Sequence, residues 1–134
     1  MKGAGLCLGL AALLAASGCA GHRADTEVRA LAGPALASAA SQVKRCYRSP
    51  RVSHSGRQIV TTLRVRMTIE GYPDGLPEIV SQQGVTAANH GFARRMAEAA
   101  IVAVVRCAPL RFPAQLYRQG WRELELTFSP VAAA

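Results

Sequence analysis

Residues 58–70 read QIVTTLRVRMTIE, and no other stretch constrains the fold of this chain as tightly. Ile59, Thr61, Leu63, Val65, Met67 and Ile69 share one parity, while Val60, Thr62, Arg64, Arg66, Thr68 and Glu70 share the other. Successive side chains of a strand point to opposite faces, so this alternation predicts one long strand with a buried face and a solvated face. A sheet buried on one side needs a second layer to cover it. The rest of the sequence has to supply that layer.

Gly71, Pro73, Asp74 and Gly75 follow as turn signals, and LPEIVSQ then offers a shorter second strand. The two form an antiparallel hairpin with a loop longer than two residues, and Pro77, which has no amide donor, suits an edge or the start of its strand. Before the hairpin, Gly33-Pro34 permits a helix to begin with proline at its first position. Leu36, Ala39, Ala40, Val43, Cys46 and Tyr47 recur there at helical spacing, Arg45 and Arg48 lie off the stripe, and Ser49-Pro50 stops it. After the hairpin a second helix is expected from Thr86 to Cys107, capped by Thr86 or Asn89, with Arg94 and Arg95 placed to pair with Glu98. Met96, Ala100, Val104 and Cys107 form its apolar stripe, and Pro109 and Pro113 prevent its continuation. WRELELTF, residues 121–128, alternates again: Leu124, Leu126 and Phe128 inward, Arg122 of the same parity at the strand's mouth, and Trp121, Glu123, Glu125 and Thr127 outward. The sum is an α+β two-layer domain in the order helix, strand, strand, helix, strand, with a three-stranded antiparallel sheet and two helices on one face.

The N-terminus specifies a compartment. MKGAGLCLGLAALLAASGC has one cation at Lys2 and an uncharged apolar run from Leu6 to Ala16 that is shorter than the roughly 20 residues of a spanning helix. It reads as a secretory signal over residues 1–18. Ala16-Ser17-Gly18-Cys19 resembles the bacterial lipobox, which implies cleavage before Cys19 and acylation of that cysteine; the competing reading is ordinary signal cleavage with Cys19 as a spare thiol. Three acyl chains, at about 0.8 kcal/mol per buried methylene, anchor a protein almost irreversibly. Ala20 stands where an aspartate favours inner-membrane retention in proteins of this kind, so the periplasmic face of the outer membrane is the expected address. Residues 19–33 then form a short tether, 34–130 the folded domain, and 131–134 a tail.

Of four cysteines, Cys7 leaves with the signal and Cys19 carries lipid, so Cys46 and Cys107 remain as a pair in an oxidising compartment. A disulfide between them closes a loop of about 60 residues, which the chain-entropy model values at roughly 4 kcal/mol. The competing readings are a reactive or metal-ligating thiol and two free buried thiols. The first lacks a C-x-x-C or a His/Cys pair at zinc spacing.

The formal net charge of +8 falls by one when Lys2 leaves. Basicity invites a nucleic-acid partner, but the arginines are scattered, no recognition motif occurs, and an exported protein meets little nucleic acid. A solvated basic face near anionic head groups is the expected use of the charge.

Several pieces in order resemble the C-terminal domain of TolA and its TonB-type relatives. They are Cys46-Tyr47-x-x-Pro50, the strand LRVRMTIEG, PEIV, AEAAIVAVVRCAPLRFP, Tyr117, Trp121 and the closing LTFSP. The resemblance runs from about Val43 to Pro130. It implies a non-enzymatic protein-binding module of the Gram-negative envelope, which engages periplasmic or outer-membrane proteins by adding a partner's strand to an open sheet edge. With the long first strand in the middle, the expected free edge is Arg122, Glu123, Leu124, Glu125, Leu126, Thr127 and Phe128. The competing reading is an edge blunted by Arg122, Glu123 and Glu125 against aggregation. Transducers of that family carry an inner-membrane helix and a long stalk. Neither is found in this sequence, so an accessory, adaptor or competitor in a Tol-Pal-like or TonB-like system is expected rather than an energy transducer. The alternative is a structural outer-membrane lipoprotein.

An enzyme is not expected. His22 lies in the tether, His54 in the polar loop SHSG and His90 beside Asn89, none with a partner at motif spacing, and Asp74 and Glu78 are an ordinary turn aspartate and strand glutamate. No nucleophile elbow, zinc-protease motif or phosphate loop occurs. No cofactor, metal or small-molecule substrate is expected.

Overall fold

The computed structural model describes residues 36–130. The signal, Cys19, the tether with His22, the helix start at Pro34 and the tail at 131–134 lie outside the described residues. Helix α1 occupies 36–46. Strand β1 (Val60–Arg66) and strand β2 (Glu78–Gln83) form the hairpin, α2 spans Ala93–Cys107, and β3 (Glu123–Phe128) closes the domain. The sheet order is β2-β1-β3 with both pairings antiparallel, so β1 is central and β3 an edge, as expected.

The alternation of β1 reappears as burial. Leu63 and Val65 are buried beneath the helices together with Thr61, while Arg64 and Arg66 are exposed. Leu124, Leu126 and Phe128 of β3 fill the same face and share one core with Val43 of α1 and with Ala100, Ala103 and Val104 of α2. Both helices therefore cover one face of the sheet. The other face is open. It carries Arg64 against Glu123 at 3.5 Å, Arg66 against Glu78 at 3.4 Å, and a Thr62–Thr127 hydroxyl contact of 3.2 Å. Exposed ion pairs of this kind contribute about 0–1 kcal/mol each.

Several expectations are corrected. The first strand is shorter than 58–70, because Gln58 sits in a 3-10 turn and the hairpin turn begins after Met67. Ile69 is consequently 51% exposed instead of facing the core. In that turn Gly71 has φ +90°, and a Cβ there meets the Leu110 carbonyl oxygen, while the Leu110 amide donates to Gly71 at 2.8 Å. Glycine is thus required where the hairpin loop docks on the segment after α2.

The second helix begins seven residues later than Thr86, at Ala93, after a 3-10 turn over His90–Phe92. Asn89 is not its cap. Its buried side chain accepts from the Thr86 amide at 2.7 Å and donates to the Ser55 and Gly84 carbonyls at 2.8 and 2.9 Å, stitching three loops together. Of the two arginines offered to Glu98, Arg94 makes the pair at 2.8 Å, whereas Arg95 donates to the Arg51 carbonyl.

Trp121 does not face outward. It ends a π-helical turn, Tyr117–Trp121, that precedes the strand, and there it is 1% exposed. Its ring stacks on Phe112 at 4.8 Å, meets Tyr117 edge-on at 4.7 Å, and its indole N–H donates to the Pro113 carbonyl at 2.8 Å. A helical turn breaks the parity that a strand would impose, and burial of a large aromatic with its polar end satisfied outweighs the alternation. Arg122 likewise falls outside β3 and is exposed, and its carbonyl accepts the Met67 amide at 2.8 Å.

Candidate functional site

The Cys46–Cys107 disulfide is present, with Cα atoms 5.5 Å apart. That separation lies within the range a bridge spans without backbone movement. It joins the last residue of α1 to the last residue of α2. Gln42, one turn earlier, reinforces the junction: its amide donates to the Arg111 carbonyl at 3.0 Å and accepts the Arg111 amide at 2.8 Å. Tyr47 then reaches the sheet, its ring centroid 5.5 Å from that of Phe128. Burial pushes the Tyr47 phenol above its ordinary 10.0, partly opposed by a hydrogen bond with the Ser49 side chain.

These attachments hold α1 beside β3 without closing the space between them. A groove of about 650 Å³ remains, with Leu36, Ala40, Val43, Lys44 and Tyr47 on the helical wall and Glu123–Ser129 on the strand wall. Its apolar lining has an identifiable origin. The stripe of α1 is wider than the surface it covers: Ala39 and Val43 are 0% and 2% exposed, whereas Leu36 is 42% exposed and Ala40 is also exposed.

The strand wall is an open sheet edge. β3 pairs with β1 along its whole length, Thr61↔Phe128 through Arg66↔Glu123, and pairs with nothing else among the described residues. Its register is regular and its burial alternates without a break. A row of backbone amides and carbonyls therefore faces outward beside an apolar groove, the arrangement in which an extended peptide gains main-chain hydrogen bonds and side-chain pockets together.

Six of the seven residues expected for the binding edge, Glu123 to Phe128, form β3, and Arg122 stands outside it. Three of them, Glu123, Glu125 and Thr127, point to the open face, and Leu124, Leu126 and Phe128 point to the core. The periodicity of the sequence located the edge but not the groove. Its trace in the sequence is the apolar pair Leu36 and Ala40, exposed in the structure, but the distance of α1 from β3 that opens the groove has no local signal. His54, His90, Asp74 and Glu78 are exposed on loops or on β2. Among the described residues no group of three or more His, Cys, Asp or Glu side chains is placed to hold a metal ion.

Compared with known proteins, the chain matches no family model, no curated protein and no solved structure.

Proposed function

We propose that this chain is a non-enzymatic protein-binding module of the bacterial envelope, similar in use to the C-terminal domains of TolA and TonB and tethered by lipid on Cys19 to the periplasmic face of the outer membrane. It captures an extended segment of a periplasmic or outer-membrane protein by strand addition along Glu123–Phe128, and serves as an accessory or adaptor in a Tol-Pal-like or TonB-like system. The observation that carries the reading is the conjunction of an unpaired, unbulged edge strand with an apolar groove whose helical wall leaves Leu36 uncovered. Natural sheets usually blunt or cover such edges, so an edge kept regular beside a groove fits a docking role. The signal, the lipobox and the two remaining cysteines support an oxidising address.

The test is selection of phage-displayed random decapeptides on the oxidised domain, followed by amide hydrogen exchange with each selected peptide. New protection confined to Glu123–Phe128 and the groove wall of α1 is the expected result. Failure to select any peptide, or protection at Glu78–Gln83 instead, overturns strand addition at β3 and leaves the structural lipoprotein as the better reading.

A further inference from the structure

The edge specifies the chemistry of its ligand as well as its position. Resting on the strand-addition reading, we infer that the captured segment alternates apolar and basic residues, with the basic ones on the open face beside Glu123 and Glu125.

A strand added along β3 continues the pleat, so its side chains alternate between the groove and the open face. On the groove side they meet Leu36, Val43, Tyr47, Leu126 and Phe128, with Lys44 and the edge residues Glu123 and Glu125 at the rim, so the floor calls for apolar residues. On the open face they lie beside Glu123, Glu125 and Thr127. Side chains directly across neighbouring strands interact, and opposite charges favour each other there. The sheet already uses this rule on its inner side. Arg66 lies opposite Glu123 and Arg64 opposite Glu125 in the register, and Arg64 reaches Glu123 at 3.5 Å. Two arginines of β1 thus flank two glutamates of β3, and the outer flank of those glutamates faces the vacant edge. Glu125 is in no ion pair among the described residues.

Lys44 makes the assignment directional. It lies on the helical wall of the groove, so a ligand shifted by one residue would turn its cations toward Lys44 and its apolar residues toward the glutamates. A one-residue slip reverses every side chain of a strand, and here the reversed arrangement is penalised on both faces. Charge therefore sets the register of the bound segment. The preference also runs against the charge of the whole protein. A net charge of +8 draws acidic ligands at long range, so a preference for lysine can come only from the edge itself.

Three blocked decapeptides make the test: leucine alternating with lysine, with serine and with glutamate, titrated into the oxidised domain at low and high salt. The lysine peptide is expected to bind about fivefold tighter than the serine peptide, and the glutamate peptide weakest, from two cross-strand charge pairs. The double variant Glu123→Lys/Glu125→Lys is expected to invert the order, and Glu125→Gln to narrow it. Both positions are exposed, so folding, checked by circular dichroism, is retained. Equal affinity of the three peptides, with amide protection still on β3, overturns the charge rule and leaves strand addition standing. Binding of none of them, together with failure of the phage selection, removes both. Tighter binding of the glutamate peptide overturns the rule in favour of long-range attraction.

Discussion

β2 and β3 are both six-residue strands paired antiparallel with β1, and they present different edges to solvent. In β2 the register slips between Thr62 and Leu63, where Ser81 and Ile79 are the partners and Val80 is the extra residue. Pro77 precedes the strand and contributes no amide donor. Ile79 and Val80 are 52% and 41% exposed, so neither face of β2 is buried at that point. In β3 the register is unbroken and each inward residue is buried. A bulge and a proline are common ways in which natural sheets defeat edge-to-edge pairing; β2 contains the bulge and has the proline immediately before it. β3 has charges instead. Those charges stand on the open face and at the rim of the groove, whose floor is formed by Leu124, Leu126 and Phe128; in the proposed reading they admit a partner strand while selecting its side chains. On the proposed reading, the sheet closes one edge by backbone geometry and filters the other by side-chain chemistry.

The strongest way to break this difference is to release the wall beside β3. The double variant Cys46→Ser/Cys107→Ser, or reduction of the wild type, is expected to lower stability by roughly 4 kcal/mol in the chain-entropy model. Guanidinium unfolding measures the loss. Peptide binding at β3 is expected to weaken beyond the share explained by unfolding, because α1 is no longer held at its end. A binding constant unchanged after correction for the folded fraction would show that the groove wall does not contribute.

A smaller effect separates the two edges directly. Leu36→Asp is expected to weaken peptide binding by about tenfold, or about 1.4 kcal/mol, with little change in thermal midpoint, since Leu36 is already 42% exposed. Ile79→Lys on β2, a position 52% exposed, is expected to leave affinity unchanged. Calorimetric titration of both variants with a selected peptide decides the matter. Equal losses would place the peptide elsewhere.

The smallest effect concerns pH. Burial raises the Tyr47 phenol above 10.0, so the folded state holds its proton after the unfolded state has begun to lose it. The sign follows from linkage: the contribution is fully present below the ordinary value and is lost as pH rises from about 10 through the folded value. Tyr47→Phe is expected to unfold less steeply with pH above that point than the wild type. Identical slopes in alkaline urea titrations would show that the ring titrates freely.

The parts of the fold legible from sequence were those in which one period dominates. Leu63, Val65, Leu124, Leu126 and Phe128 alternate, and all are buried on one face. Met96, Ala100 and Val104 recur at helical spacing, and all face the core. Legibility failed where a local turn interrupted the period. Trp121 shares parity with Glu123, but the π-helical turn ahead of β3 rotates it inward onto Phe112 and Tyr117. Ile69 continues the alternation of β1 on paper, but the turn around Gly71 takes it away from the sheet. Asn89 looks like a cap and serves as a clasp between loops, because its partners Ser55 and Gly84 are distant in sequence and no local pattern encodes them. The position of β3 at an edge was legible because strand order followed from the central position of β1. The groove was not, because it depends on how far α1 stands from β3.

The crosslink between the two helix ends has a mechanical consequence. A pull on the chain ahead of α1 runs down that helix and crosses the sulfurs from Cys46 to Cys107, bypassing the segment between them. The hairpin and α2 are thereby taken out of the covalent line of tension, which re-enters the backbone only on the stretch leading to β3. If the N-terminus is anchored and a partner grips that strand, as proposed, traction between them would load the shortest route through the molecule and spare most of its sheet.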